Sequence, residues 1–173
     1  SARGIDIFAK NLLSSNKNSF EKILVVAIPK IRSFMHLDTV FTMIDHDKFT
    51  IHHEASEQMA VYELTLRKDG ELNINYTKDT LNIILARVLG LPAVKLIMCG
   101  GGDTIVSERE QWNDGSNTLA IEPGKVIVYD RNYITNELLV KNGIKTIAIP
   151  SAELSRGRGG PRCMSMPLNR TDL

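Results

Sequence analysis

Residues 155–165, Ser155-Arg156-Gly157-Arg158-Gly159-Gly160-Pro161-Arg162-Cys163-Met164-Ser165, set one cysteine on a loop of glycine, proline and arginine ahead of a short apolar run. Glycines allow backbone conformations that a Cβ forbids. Fixed positive charge favours thiolate over thiol, and the thiolate is the nucleophile. Arg156, Arg158 and Arg162 would supply that charge, so the local chemistry favours a reactive Cys163 over a structural one. A second constellation is Met35-His36-Leu37-Asp38-Thr39. On a strand, His36 and Asp38 would share a face. A histidine shuttles protons near neutral pH, and a carboxylate accepts paired hydrogen bonds from a planar cation. Taken alone, the pair reads more readily as a surface His and Asp at a strand start. No third ligand stands near enough in sequence to suggest a metal site.

Other polar groups point less clearly to chemistry. His46 falls in Asp45-His46-Asp47-Lys48, a solvated turn, and His52-His53 is expected to end a strand facing water. Gly100-Gly101-Gly102-Asp103 lacks the Lys-Ser/Thr of a phosphate loop and reads as a tight turn. Trp112-Asn113-Asp114-Gly115-Ser116-Asn117 reads as a structured turn. The Arg-Gly tract is a single copy without interleaved aromatics, which disfavours RNA contact.

The elements that must position these groups follow from hydrophobic period. Residues 1–13 carry Ile5, Phe8, Ala9, Leu12 and Leu13 at helical spacing. A loop is expected at 14–19. The apolar run 23–28, stopped by Pro29, reads as a strand buried on both faces. Strands are expected at 37–44, 49–52 and 95–99, and a hairpin at 118–121 and 125–129 around Glu122-Pro123-Gly124. A turn is expected at Lys68-Asp69-Gly70. Asp79 opens a helix through Leu89, a second helix covers 133–141, and 144–149 is a strand. Residues 36–99 and 118–149 share one order: a strand pair, a helix, a short apolar strand. The fold class is therefore α/β with repeated ββαβ units. The opening helix and the strand at Ile23 look like the tail of a preceding unit, and 164–168 like a final strand.

The chain has 173 residues and a net charge of +1, which gives no strong field for nucleic acid or a membrane surface. No apolar run approaches a membrane span. Two cysteines, Cys99 and Cys163, make no disulfide framework and suggest a reducing, cytoplasmic setting. The first residue is Ser1, which suggests processing or a longer parent chain.

Taken together, the segments resemble the arginine deiminase family, within the superfamily that modifies guanidino groups. The likeness runs through Phe34-Met35-His36-Leu37-Asp38-Thr39-Val40-Phe41-Thr42-Met43, Gln111-Trp112-Asn113-Asp114-Gly115-Ser116-Asn117, the stretch from Glu122-Pro123-Gly124 to Tyr129-Asp130-Arg131-Asn132, and Glu153 through Leu168. The resemblance implies a partial five-bladed α/β propeller (pentein) and hydrolysis of L-arginine to citrulline and ammonia. It implies Cys163 as nucleophile, His36 as acid/base, Asp38 as a guanidinium binder and Arg158 on a mobile loop over the site. It assigns Arg162 no role. No metal or organic cofactor is implied, and a homo-oligomer is expected of the full-length protein. The family carries further site residues upstream that have no counterpart here: a glutamate, a second aspartate and carboxylate-holding arginines. The chain is thus read as the C-terminal portion of one catalytic domain, inactive by itself. The alternatives are a noncatalytic interaction module of the same fold, or a dimethylarginine hydrolase or amidinotransferase relative.

Overall fold

The computed structural model describes residues 1–15 and 20–169, so residues 16–19 of the expected loop lie outside the described residues. The first helix, α1 (Ala2–Leu13), is capped by Ser1, whose hydroxyl accepts the Gly4 N–H at 3.2 Å. Of its apolar face only Ala9 is buried, while Ile5 and Phe8 are exposed. Strand β1 (Ile23–Ala27) follows. It is half-buried rather than covered on both faces, because it forms the edge of a three-stranded antiparallel sheet. In that sheet β1 pairs with β4 (Ala60–Leu66), and β4 with β5 (Leu72–Thr77). The β4–β5 turn lies at the expected Lys68-Asp69-Gly70, with Gly70 at φ +83°.

Residues 37–44 depart from the expected single strand. They form one helical turn, α2 (Leu37–Val40), and then β2 (Phe41–Met43). The backbone carbonyls explain this. His36 O accepts from both the N–H and the hydroxyl of Thr39, and Asp38 O accepts from the Thr42 hydroxyl. Side-chain amides of Gln111 and Asn117 take Thr39 O and Asp38 O. Carbonyls engaged in this way are not available to a strand ladder.

Two units then repeat one topology. In the first, β2 pairs antiparallel with β3 (Lys48–Ile51), and β6 (Lys95–Met98) lies parallel to β3 on its other side. Between β3 and β6 run α3 (His53–Gln58), the β4–β5 hairpin and α4 (Leu81–Leu89). In the second, β7 (Leu119–Glu122) pairs antiparallel with β8 (Lys125–Tyr129), α6 (Tyr133–Lys141) crosses over, and β9 (Lys145–Ile149) lies parallel to β8. Helix α4 buries Leu81, Ile84 and Leu85, one stripe at helical spacing, and ends at Gly90 in the left-handed conformation. Its N-cap is Thr80 rather than the expected Asp79. The stripe packs on Phe49, Ile51 and Val61. A second core joins the units: Ile44 and Ile97 from the first meet Val126, Val128, Leu139 and Ile144 from the second.

Helix α5 (Thr104–Trp112) was not expected from the sequence. Asp103 caps it by accepting the Val106 N–H at 2.9 Å. Ahead of it Cys99–Gly102 makes the expected tight turn, with Gly100, Gly101 and Gly102 at positive φ. A Cβ on Gly100 would lie 2.5 Å from the Ser107 backbone, so only glycine lets α5 seat there. The inward face of α5 is polar. Ser107 donates to Cys99 O, Gln111 to Thr39 O, and the wholly buried Glu110 accepts from the backbone N–H groups of Ile134 and Thr135. A carboxylate at those first-turn donors of α6 satisfies orphan N–H groups and complements the helix dipole. Residues 164–168 form no strand. The amides of Met164 and Ser165 turn back onto Gly160 O and Arg162 O.

Candidate active site around Cys163

Cys163 is exposed on a turn that is anchored from below. The Tyr129 hydroxyl, carried at the buried end of β8, donates to Gly159 O at 2.8 Å and lies 3.7 Å from Met164 Sδ. Gly160 packs directly on Asn117, where a Cβ would come within 2.5 Å of Asn117 Oδ1. Asn117 Oδ1 accepts the Cys163 N–H at 3.0 Å. The same amide donates through Nδ2 to Asp38 O at 2.8 Å. Three segments far apart in sequence therefore meet, and Cys163 Sγ stands 3.8 Å from Asp38 Oδ2.

The four residues expected to carry chemistry are placed differently. Asp38 and Cys163 are brought into contact. His36 and Asp38 do not share a strand face. His36 is the extended, exposed residue that precedes α2, and Asp38 sits in its first turn, half-buried. The His36 carbonyl accepts from Thr39, and among the described residues its ring makes no hydrogen bond to Cys163 or Asp38. Arg158 lies on the cysteine's own loop in a left-handed conformation, φ +59°, with its guanidinium carbon 4.0 Å from the centre of the Trp112 ring. That is a cation–π geometry.

The three arginines expected to act on the sulfur have other partners. Arg158 goes to Trp112, Arg156 to Glu153 at 3.4 Å, and Arg162 to Asp38 Oδ2 at 3.0 Å. The sulfur is left facing carboxylates. Partial desolvation of the sulfur first, and then the charge of Asp38, push the Cys163 thiol above its ordinary pKa, with a smaller upward push from Asp114. The Asn117 amide and the Gly160 N–H act in the opposite sense. Burial also raises Asp114, whose charge the Gly159 N–H and Arg158 favour. Cys99 is a different case. It is buried under α5, and desolvation raises its thiol to about 11.

His52 also departs from expectation. It is buried rather than facing water, set edge-on to Phe34 at 4.9 Å, and burial lowers its pKa. It lines a hollow of about 310 Å³ with Gln111 and Trp112; neither Cys163 nor Asp38 lines it. Among the described residues no three His, Cys, Asp or Glu side chains gather as a metal site, and no described helix is long and apolar enough to cross a membrane.

Asn117, Tyr129, Trp112 and Arg162 are the residues of the site whose part the sequence did not reveal. Asn117 and Trp112 bracket a motif that reads locally as a turn. The Asp114 φ of +57° shows that the turn exists. What local pattern cannot show is that the turn aims the Asn117 amide at a cysteine 46 positions on.

Comparison with known proteins gives a consistent result. A family model described as Arginine deiminase matches residues 1–170. The arginine deiminase of Treponema denticola is 53% identical over 174 residues, covering 100% of this chain and 42% of that protein. That of Bacillus cereus (strain ATCC 14579) is 56% identical over 177 residues, covering 100% of this chain and 43% of its own. The enzyme of Latilactobacillus sakei is 56% identical over 176 residues, with 100% and 42% covered. The chain thus spans less than half the length of these relatives. With the family model covering nearly every residue, from α1 to the cysteine turn, the chain belongs to the arginine deiminase family.

Proposed function

We propose that this chain is the nucleophile-bearing portion of an arginine deiminase, which hydrolyses L-arginine to L-citrulline and ammonia through a covalent cysteine intermediate. The observation that carries the reading is the 3.8 Å approach of Cys163 Sγ to Asp38 Oδ2. A carboxylate at that distance can fix a guanidinium by its N–H groups while its central carbon faces the sulfur.

The chemistry follows from the groups. Bound cation replaces the carboxylate field that now opposes ionisation of Cys163, so substrate favours the thiolate. The thiolate attacks the guanidinium carbon, and His36 protonates the departing ammonia. The intermediate is a planar amidino thioether. His36 then takes a proton from water, which adds to the same carbon, and the C–S bond breaks to release citrulline and the thiol. Arg158 belongs to the loop over the site and leaves Trp112 to meet substrate. The two ββαβ units are two of five in a pentein propeller, and the full-length protein is a cytoplasmic homo-oligomer. No cofactor takes part.

The 173-residue chain alone is catalytically silent on this reading, since half of the guanidinium clamp and the carboxylate anchors lie elsewhere in the family's chains. Lost positioning of this kind removes on the order of 100-fold or more in rate. The test is citrulline release by this chain and by a full-length chain that carries it, each with and without Cys163→Ala. Turnover only in the full-length chain, lost with Cys163, supports the reading. Cysteine-dependent turnover by the isolated segment overturns its silence. A full-length chain that makes no citrulline overturns the deiminase assignment. Parallel assays with dimethylarginine and agmatine distinguish the related hydrolases.

A further inference from the structure

Asn117 is fully buried, and both ends of its amide are used. One end accepts the N–H of the candidate nucleophile; the other donates to the carbonyl of the residue whose carboxylate faces that nucleophile. Gly160 closes on it so tightly that a Cβ there would fall 2.5 to 2.7 Å from Asn117 atoms. The preceding turn residue is fixed too, because the Thr50 hydroxyl of β3 donates to Ser116 O at 3.0 Å. An aspartate, leucine or serine at 117 could not supply a donor and an acceptor across this span at once.

We propose that Asn117 is a positioning residue that sets the Cys163 sulfur against the Asp38 carboxylate. It acts through two backbone groups, the Cys163 N–H and the Asp38 carbonyl. It holds two backbones in register, and the distance between thiol and carboxylate follows from that. The proposal rests on the deiminase reading only for its effect on turnover. Its effect on the thiol stands apart.

Two substitutions test it. Asn117→Ala removes both hydrogen bonds. Gly160→Ala leaves the Asn117 amide intact but drives a methyl group into it. In the 173-residue chain, the rate of Cys163 alkylation by iodoacetamide is followed against pH, and thermal unfolding shows that each variant is folded. Both variants are expected to displace the alkylation profile from wild type, Asn117→Ala toward lower pH because the sulfur no longer stands 3.8 Å from the Asp38 carboxylate that holds its thiol up. In the full-length chain kcat for arginine is expected to fall about 100-fold with KM changed less than about threefold. A folded Asn117→Ala chain with the wild-type alkylation profile overturns the proposal. If that variant does not fold, an unchanged profile in Gly160→Ala does so instead. Absence of turnover in the wild-type full-length chain would refute the deiminase reading and leave the alkylation result to decide on Asn117.

Discussion

Arg162 Nη1 lies 3.0 Å from Asp38 Oδ2, the same carboxylate oxygen that stands 3.8 Å from Cys163 Sγ. The chain's own guanidinium thus occupies the carboxylate that the reading above reserves for substrate. Arg162 is more than half exposed, so the pair is screened and weak, about 0–1 kcal/mol. On that reading, substrate must displace it. In the full-length enzyme Arg162→Ala is expected to lower KM for arginine about two- to fivefold with little change in kcat. Initial-rate kinetics check this, and an unchanged or higher KM would show that the contact does not compete with substrate.

Asp38 acts in two opposed ways on one sulfur. Its charge holds the thiol up, yet on the proposed reading it would position a bound guanidinium. Asp38→Asn is therefore expected to speed alkylation of Cys163 near neutral pH several-fold while reducing arginine turnover by on the order of 100-fold. In the unsubstituted chain the alkylation rate should keep climbing with pH above the ordinary thiol range, since the raised pKa leaves little thiolate below it. Cys99, raised to about 11 and buried, should remain unmodified throughout. Mass spectrometry of each cysteine peptide across pH measures both.

Glu63 ties β4 to two other segments. Its buried carboxylate pairs with Lys22 at 2.9 Å and with Arg87 of α4. The hydrogen bond from Arg87, then that from Lys22, lower its pKa from 4.5 to about 2. A carboxyl depressed in the folded state stabilises it above the unfolded pKa, and that contribution is lost as pH falls through the folded value. Glu63→Gln should thus cost about 1–3 kcal/mol near neutral pH and progressively less between 4.5 and about 2. Thermal unfolding of both chains across that window tests the sign, and a penalty that persists at its acid end would contradict it.

Much of the architecture was legible because it is written in apolar spacing. The stripe Leu81, Ile84, Leu85 marks α4, and the run through Val126 and Val128 after Glu122-Pro123-Gly124 marks the β7–β8 hairpin. The exposed cysteine on a glycine-rich loop, and its distant partner Asp38, were also legible from residue type and family likeness. Helix α5 escaped because its inward positions are Ser107, Glu110 and Gln111. The helical period is present but polar residues carry it, and each is buried only because a tertiary partner satisfies it. The strand expected over His36 and Asp38 became a helical turn for a related reason: Thr39, Thr42, Gln111 and Asn117 take its carbonyls.

The electrostatics of the sulfur turned on folding alone. Sequence proximity puts three arginines beside Cys163, and from composition the thiol should ionise easily. The fold draws those side chains to Glu153, Trp112 and Asp38 and turns carboxylates toward the sulfur, so the thiol is raised instead. Residue order determined which reactive groups the chain possesses and which elements carry them. Long flexible cations choose partners in three dimensions, and only the packed structure decided where each charge ends and which way the nucleophile's proton is biased.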